Sequence, residues 1–444
     1  MIFLIFQLIS TMKKICSLLL IVFLIVNVTS GQQLNNDAKY NWKNIQELKY
    51  QAGLPDPFLK PDGTRVNTKE EWLKQREYIM AMLEHYQYGK MPPVPENPTI
   101  VETLSEEIFD GKAIRKLYTL TLNRNGKSMD LHFGIVKPKG KGPFPVIIKN
   151  DRDVPDPVNH DQKKLKMGSL GIPNEALIEA LRRGYIYCAY NREDLGSDIG
   201  RELEKNRDNG VFPLYPEYDW GTIAAWAWGY KLIIDYFKKL DFIDVDKIVV
   251  TGHSRGGKTA FCGGIYDERI AVTAPSSSGL GGTSSHLFDE LKSAGQPNQP
   301  PQIIAMHIIS QPHWWTAEYY KLSGYEPKIP FDAHFGKAVI APRAFFNTHS
   351  YQDYHANPLG AWLTSVAAKK VYKWLGVEDN IAMHFRTGLH AQSIIDWFAL
   401  LDFCDNYFYS KTPSSPYDTY YDFNKVNPYP WAQIPVNWKV PGSN

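Results

Sequence analysis

Cysteine is scarce in this chain: four in 444 residues, one of them (Cys16) inside an apolar leader. The other three, Cys188, Cys262 and Cys404, form an odd and widely spaced set. That excludes a disulfide framework and offers no zinc-type spacing. Each sits among apolar neighbours and is expected to be a small buried hydrophobe. No H-E-x-x-H occurs, and neither internal repeats nor low-complexity segments are found, so no metal and no cofactor is expected. An excess of either charge is missing too: the formal net charge is +2. Nothing in that balance points to nucleic acid or to an anionic membrane.

The one long apolar run is residues 15–28. Lys13 and Lys14 precede it and Thr29, Ser30 and Gly31 come after it, which is the pattern of a secretory signal peptide over 1–31. The run is short for a membrane span, and Cys16 has no lipoprotein-type cleavage context. Removing the leader takes away two lysines, so the formal charge falls to zero. The mature chain is then expected to be secreted or periplasmic, with no membrane attachment, and to act as a monomer.

Apolar residues make up 43% of the chain, enough for a sizeable core, and 12 Trp, 26 Tyr and 21 Phe exceed what a leader or a tail could absorb. Core packing explains most of them; a carbohydrate-lined cleft would explain others. The length suits one large domain with additions. Thr68 followed by Glu71 reads as a capping box opening a helix over 72–86. Runs at 117–122 and 129–136 alternate about Asn125-Gly126, a hairpin signal. Residues 146–148 form a continuous apolar run, as in a covered strand. From there strands are expected at 185–190, 248–251, 271–274, 339–347 and 381–386. Helices are expected at 176–183, 220–240 with Asp219 as cap, 361–375 and 391–408. An antiparallel start followed by βα repeats implies an α/β three-layer α-β-α sandwich with a mostly parallel central sheet. That domain spans 32–411, with a Pro/aromatic-rich tail over 412–444. Trp431 and Trp438 would be costly in water, so the tail is expected to strap the domain.

The chemistry-bearing stretch is residues 247–266. A β-branched run, Ile248 to Thr251, is followed by Gly252-His253-Ser254-Arg255-Gly256 and then by a helical pattern. A G-x-S-x-G alone is common; strand before and helix after is the context of a nucleophile elbow in α/β-hydrolases. The turn is tight enough that glycine is needed two residues either side of Ser254. The serine then stands at a helix N-terminus, where N–H groups favour developing negative charge. The plainer reading is a Gly-rich turn with an incidental serine.

A serine hydroxyl needs a base, and the base an orienting acid, in the chain order Ser, acid, His. His390 lies in the loop after the last expected strand and is the candidate base. His384 falls inside a strand, and His334 reads as a loop brace. Asp353 comes after the strand expected at 339–347, at the sheet edge where catalytic groups of open α/β sheets collect. A loop-capping aspartate is its plainer reading. His349, Asp353 and His355 could also be read as metal ligands, but no further ligand pattern supports that.

These residues resemble the glucuronoyl esterases, carbohydrate esterase family 15, over 219–408. The match rests on Asp219-Trp220-Gly221, on Ser254-Arg255-Gly256-Gly257-Lys258, and on Ser278-Gly279-Leu280-Gly281-Gly282. It rests further on Trp314-Trp315 ahead of Pro330-Phe331-Asp332-Ala333-His334, and on His390. The resemblance implies Ser254 as nucleophile, His390 as base and Arg255 as an addition to the oxyanion hole. It implies Lys258 as a holder of sugar hydroxyls and Trp314 as a wall against a uronate. Lys258 also shares a helix face with Ser254 by i, i+4 spacing, though a solubilising surface lysine is the plainer reading. The sequence departs from the family twice. Many fungal members carry Glu where Ser277 stands, so the acid must come from elsewhere, and Asp353 is the candidate. A family acid that helps to bind the sugar appears as Gln311. The implied substrate is a glucuronoxylan or lignin–carbohydrate ester. An acetyl (xylan) esterase and an inactive glycan-binding relative are the alternatives.

Overall fold

Among the described residues, runs of β-branched and aromatic residues, cut by turn residues, build nine strands in chain order. They are β1 Thr99–Ile108, β2 Ala113–Arg124, β3 Lys127–Pro138, β4 Phe144–Asp151, β5 Ile186–Asn191, β6 Ile243–His253, β7 Ile270–Ser276, β8 Ala344–Ser350 and β9 Ile381–Arg386. The computed structural model describes residues 39–152, 171–199, 206–288, 302–419, 436 and 438–442. The expected signal peptide lies outside the described residues, as does most of the tail, Trp431 included.

The strands form one sheet in the order β1-β2-β3-β5-β4-β6-β7-β8-β9. The first three, and β3 with β5, pair antiparallel; every pair from β5 through β4 and β6 to β9 is parallel. Alternation along each central strand sorts side chains to two faces. Val146, Ile148, Ile248 and Val250 enter one core, while Ile147 and Val249 enter the other. The first core is covered by helices α1 Lys69–Leu83, α3 Thr222–Phe237, α4 Arg255–Tyr266, α7 Ala333–Ile340 and α8 Pro358–Leu375. The second is covered by α2 Asn174–Arg182 and α9 Ile394–Tyr409. Two short helices, α5 Ile304–Ser310 and α6 Ala317–Lys321, lie between β7 and β8 in the chain. This is the expected three-layer sandwich.

Signals with a local backbone cause appear where the sequence places them. Asn125 and Gly126 both have positive φ (54° and 71°) and join β2 to β3. Thr68 accepts from the Glu71 N–H at 3.2 Å and caps α1. Cys188, Cys262 and Cys404 are free and buried.

Two expectations fail and one strand goes unforeseen, each for a physical reason. Residues 339–340 are not strand: they are the last turn of α7, whose N-terminus Asp332 caps by accepting from Ala333 N–H at 2.7 Å. The helix stops just ahead of Pro342, because a residue before proline is pushed out of the helical region, and β8 starts only at Ala344. Asp219 does not cap α3. The helix starts after Gly221, and its first N–H groups are taken by backbone: Thr222 N donates to His313 O (2.9 Å) and Ile223 N to Trp314 O (3.3 Å). A Cβ at Gly221 would lie 2.1 Å from Trp314 O, so glycine lets these segments touch. Strand β1 carries no sequence signal because it is an edge strand with mostly exposed side chains, Val101 among them. At the far end of the chain Trp438 is buried, stacked on His334 (centroids 6.1 Å, 12°), with Lys370 Nζ 5.2 Å from its ring. Among the described residues no helix is long and apolar enough to cross a membrane.

Candidate active site

The site is set by register. His253 pairs with Ser276, Ser276 with Thr348, and Thr348 with His384, so β6 to β9 end level with one another. The segments leaving these strands therefore gather at one edge of the sheet: the elbow after β6, the Ser276–Ser278 turn after β7, Asp353 after β8 and His390 after β9.

Ser254 sits at φ 56°, ψ −119°, between β6 and α4. A non-glycine residue held at positive φ costs roughly 1–3 kcal/mol and persists only where its surroundings fix it. Here its N–H donates to Ser276 O at 2.9 Å and its carbonyl accepts from Lys258 N at 3.1 Å. The flanking glycines are sterically required. A Cβ at Gly252 would come 2.3 Å from Gly256 O, one at Gly256 2.8 Å from Asn150 Oδ1, and one at Gly257 2.8 Å from Ser276 O. Asn150, at the end of β4, ties the elbow from below: its Nδ2 donates to Gly256 O (2.8 Å) and Tyr230 Oη (2.6 Å).

His390 Nδ1 lies 2.6 Å from Asp353 Oδ2. The carboxylate is buried and the imidazole about one-third exposed, so the free face of the ring is Nε2. Burial works to raise the Asp353 pKa. The hydrogen bond and charge of His390 and the Ser277 hydroxyl outweigh it and hold the carboxyl below its usual range. Ser277 Oγ is buried and closes no hydrogen bond of normal geometry, yet it faces this carboxylate. His253 packs on His390 with ring centroids 4.4 Å apart. Burial, then the neighbouring His390, push the His253 pKa down to about 3, so it is a neutral backing for the base. No hydrogen bond closes between Ser254 Oγ and His390; such catalytic contacts often tighten only in the complex with substrate. Among the described residues no three metal-type side chains converge, and His349 is simply buried within β8.

Beside the elbow lies a cation-rich wall. The Arg255 guanidinium is paired with Asp198 and stands 5.2 Å from the Trp314 ring centroid. Lys258, one turn further along α4, is buried, which overturns the surface-lysine reading. Its Nζ donates to Ser278 O, lies 3.4 Å from Gln302 Oε1 and 5.7 Å from the Trp314 ring. Burial first, and then the Arg255 charge, bring its pKa down to about 7. Trp314 is also buried, its Nε1–H donating to Asp198 Oδ1 at 3.1 Å. Gln311 ends α5 and serves this wall mainly through its backbone: its carbonyl accepts from Trp314 N (3.2 Å) and Tyr320 Oη (2.7 Å), while its side chain binds Ser310 Oγ. Sequence reasoning misses Asp198, Asn150 and His253. His253 is inside the motif and was legible there; Asp198 lies in a polar, unpatterned loop with no local signal.

A serine elbow between a parallel strand and a helix, with an aspartate–histidine pair later in the chain at the same sheet edge, defines an α/β-hydrolase fold. Comparison with known proteins narrows this. The family described as glucuronyl esterase, fungi, matches residues 120–376. A 4-O-methyl-glucuronoyl methylesterase of Schizophyllum commune is 27% identical over 97% of this chain and 100% of its own. The carbohydrate esterase family 15 glucuronoyl esterase of Caldicellulosiruptor kristjansonii superimposes with a TM-score of 0.68 at 28% identity, covering 85% of this chain and 96% of the other. A mutant glucuronoyl esterase of Sporotrichum thermophile, solved with methyl 4-O-methyl-β-D-glucopyranuronate, has a TM-score of 0.65 at 25% identity, covering 87% and 95%. The chain belongs to the glucuronoyl esterases of carbohydrate esterase family 15, and is a carboxylic ester hydrolase.

Proposed function

We propose that this enzyme cleaves the ester between a (4-O-methyl-)glucuronic acid carboxyl on glucuronoxylan and a lignin-type alcohol, through a glucuronoyl-Ser254 intermediate. The observation that carries the reading is the His390–Asp353 bond of 2.6 Å at the elbow edge, beside the Arg255, Lys258 and Trp314 wall. His390 Nε2 takes the Ser254 hydroxyl proton as Oγ attacks the ester carbon. The negative charge on the former carbonyl oxygen is met by the Arg255 N–H, which opens α4 without an intrahelical partner, and by the Arg255 guanidinium. The C–O bond to the alcohol breaks, and the alcohol leaves with the proton from His390. Water then attacks the acyl-serine, giving its proton to His390, which returns it to Ser254 Oγ as glucuronate departs. Asp353 keeps the proton of His390 on Nδ1 and stabilises the imidazolium. Lys258 and Trp314 form the floor and wall of the acyl site, with Gln311 holding the wall in place. A uronate needs such holding and an acetyl group does not, which favours this reading over an acetyl (xylan) esterase. The leader over 1–31 supports action outside the cytoplasm, as a secreted or periplasmic enzyme.

The test is parallel kinetics on benzyl glucuronate, methyl glucuronate and 4-nitrophenyl acetate, with mass spectrometry of the enzyme acid-quenched during turnover of the glucuronate ester. Higher kcat/KM on the glucuronates and a glucuronoyl adduct on Ser254 are expected. Faster acetate turnover, with no glucuronoyl adduct, would replace the uronate reading by the acetyl one.

A further inference from the structure

Asp198 makes more contacts to the candidate site than its place in the sequence suggests. Its side chain is 1% exposed and receives three donors: the Arg255 guanidinium, His313 Nε2 at 3.2 Å and Trp314 Nε1 at 3.1 Å. The segment that leads into it is pinned. Trp226 Nε1 in α3 donates to Gly196 O (2.7 Å), Ser197 N to Asn209 Oδ1 (2.9 Å), and Val211 N to Leu195 O (3.0 Å). Arg255 has five N–H donors in a rigid fork, and Asp198 engages it through Nη1. The rest of its side chain remains about one-third exposed, beside Ser254. A free arginine of this length would sample many rotamers; a buried carboxylate on a pinned loop removes that freedom before substrate arrives. The same carboxylate holds the indole N–H of Trp314, so the guanidinium and the wall it stacks on share one anchor.

We propose that Asp198 is a positioning residue for this reaction: its carboxylate fixes the Arg255 guanidinium toward the oxyanion and locks it to the Trp314 wall. The inference rests on the reading of Arg255 as an oxyanion donor. Asp198 touches no reacting atom, so its effect must pass through Arg255, and that is what a double-mutant cycle measures.

The experiment is the cycle Asp198→Asn, Arg255→Met and both together, assayed on 4-nitrophenyl acetate and benzyl glucuronate, with melting curves for each. Removal of one oxyanion donor costs on the order of 100-fold in kcat, which is the loss expected for Arg255→Met. Asp198→Asn should lose about 10-fold or more in kcat on both esters while KM for the acetate changes less than about twofold, since a displaced donor acts on the transition state. In the Arg255→Met background the Asp198 substitution should add almost nothing on the acetate. A folded Asp198→Asn enzyme with unchanged kcat, or losses that multiply fully in the double variant, overturns the positioning role alone. Unchanged kcat in Arg255→Met overturns the oxyanion reading, and the positioning role with it. If Asp198→Asn does not fold, Asp198→Glu keeps the charge but moves the anchor. Its kcat should fall with KM held, and an undiminished kcat there counts against the proposal.

Discussion

Among the described residues, the Asp353–His390 and Asp332–His286 pairs each have a serine close by, and they are built differently. In the first, Asp353 and His390 are 2.6 Å apart, the acid is buried, and the imidazole is partly exposed at the end of β9 with Nε2 free. In the second, Asp332 and His286 are 3.2 Å apart and both are fully enclosed. There the far nitrogen is already used, His286 Nε2 lying 3.0 Å from Tyr319 Oη. Ser285 Oγ donates directly to Asp332 Oδ2 at 2.6 Å, so the serine bypasses the imidazole. Asp332 also caps α7 and accepts from His286 N. The same three residue types thus make a partly exposed pair at the elbow edge in one place and a knot between the segment after the Ser278–Gly282 turn and α7 in the other. What separates them is the second nitrogen, bonded to Tyr319 in His286 and left open in His390.

The largest effect expected from breaking this contrast is at the nucleophile. Ser254→Ala should remove turnover by about 10⁶-fold, as loss of the serine does in a comparable triad. Thermal unfolding should hardly change, and residual steady-state hydrolysis by a verified preparation would count against the assignment. Next is the acid. Asp353→Asn should lower kcat by roughly 10⁴-fold with little change in KM, because the acid acts on the tautomer and on the imidazolium. Adding Ser277→Glu in that background puts a new carboxylate beside residue 353, and partial recovery of kcat is expected. Near-wild-type kcat in the single variant would mean that another carboxylate orients His390.

The second pair should answer in the opposite way. Asp332→Asn leaves a buried histidine, a serine and a helix N-terminus poorly matched, and should cost about 3–5 kcal/mol of stability, as breaking a buried pair does. The kcat of the protein that remains folded should stay within about twofold of wild type, since no reacting atom is near. A selective collapse of kcat with normal melting would erase the distinction drawn between the pairs.

The smallest effect is a pH dependence at Lys258. Its folded pKa, about 7, lies below the ordinary lysine value of 10.5, so between these limits the unfolded chain binds the extra proton. Stability therefore rises with pH across that window; the penalty of burying the ammonium is complete below about 7 and relieved toward 10.5. Against Lys258→Met as reference, wild type should gain relative melting temperature from pH 7 to 10. The same variant should lose more activity on benzyl glucuronate than on 4-nitrophenyl acetate. A flat melting difference, or equal losses on both esters, would remove Lys258 from the acyl site as described.

Ser254 and its strand and helix were legible because each is dictated locally. Asn125-Gly126 was legible for the same reason. His390 and Asp353 could be placed by topology, since parallel strands deliver their C-terminal loops to one edge. The failures share a cause as well. Val339 and Ile340 have strand-like side chains, but Asp332 starts a helix seven residues earlier and Pro342 ends it. Lys258 looks like a surface lysine in sequence, and it is Ser278, Gln302 and Trp314, from distant loops, that enclose it. Asp198 is 57 residues from Arg255, in a loop with no period at all.

The sequence by itself determined where the backbone must bend and which hydroxyl is thrust out there, because steric limits on φ and ψ act between near neighbours. It also determined which segments carry two-faced apolar strands, and so the edge at which the base and acid would meet. Tertiary structure decided which charges are paired, which lysine loses its water, and which of two Asp–His pairs keeps a nitrogen free. Desolvation and ion pairing depend on every atom enclosing a group, and those atoms come from loops that no local pattern brings together.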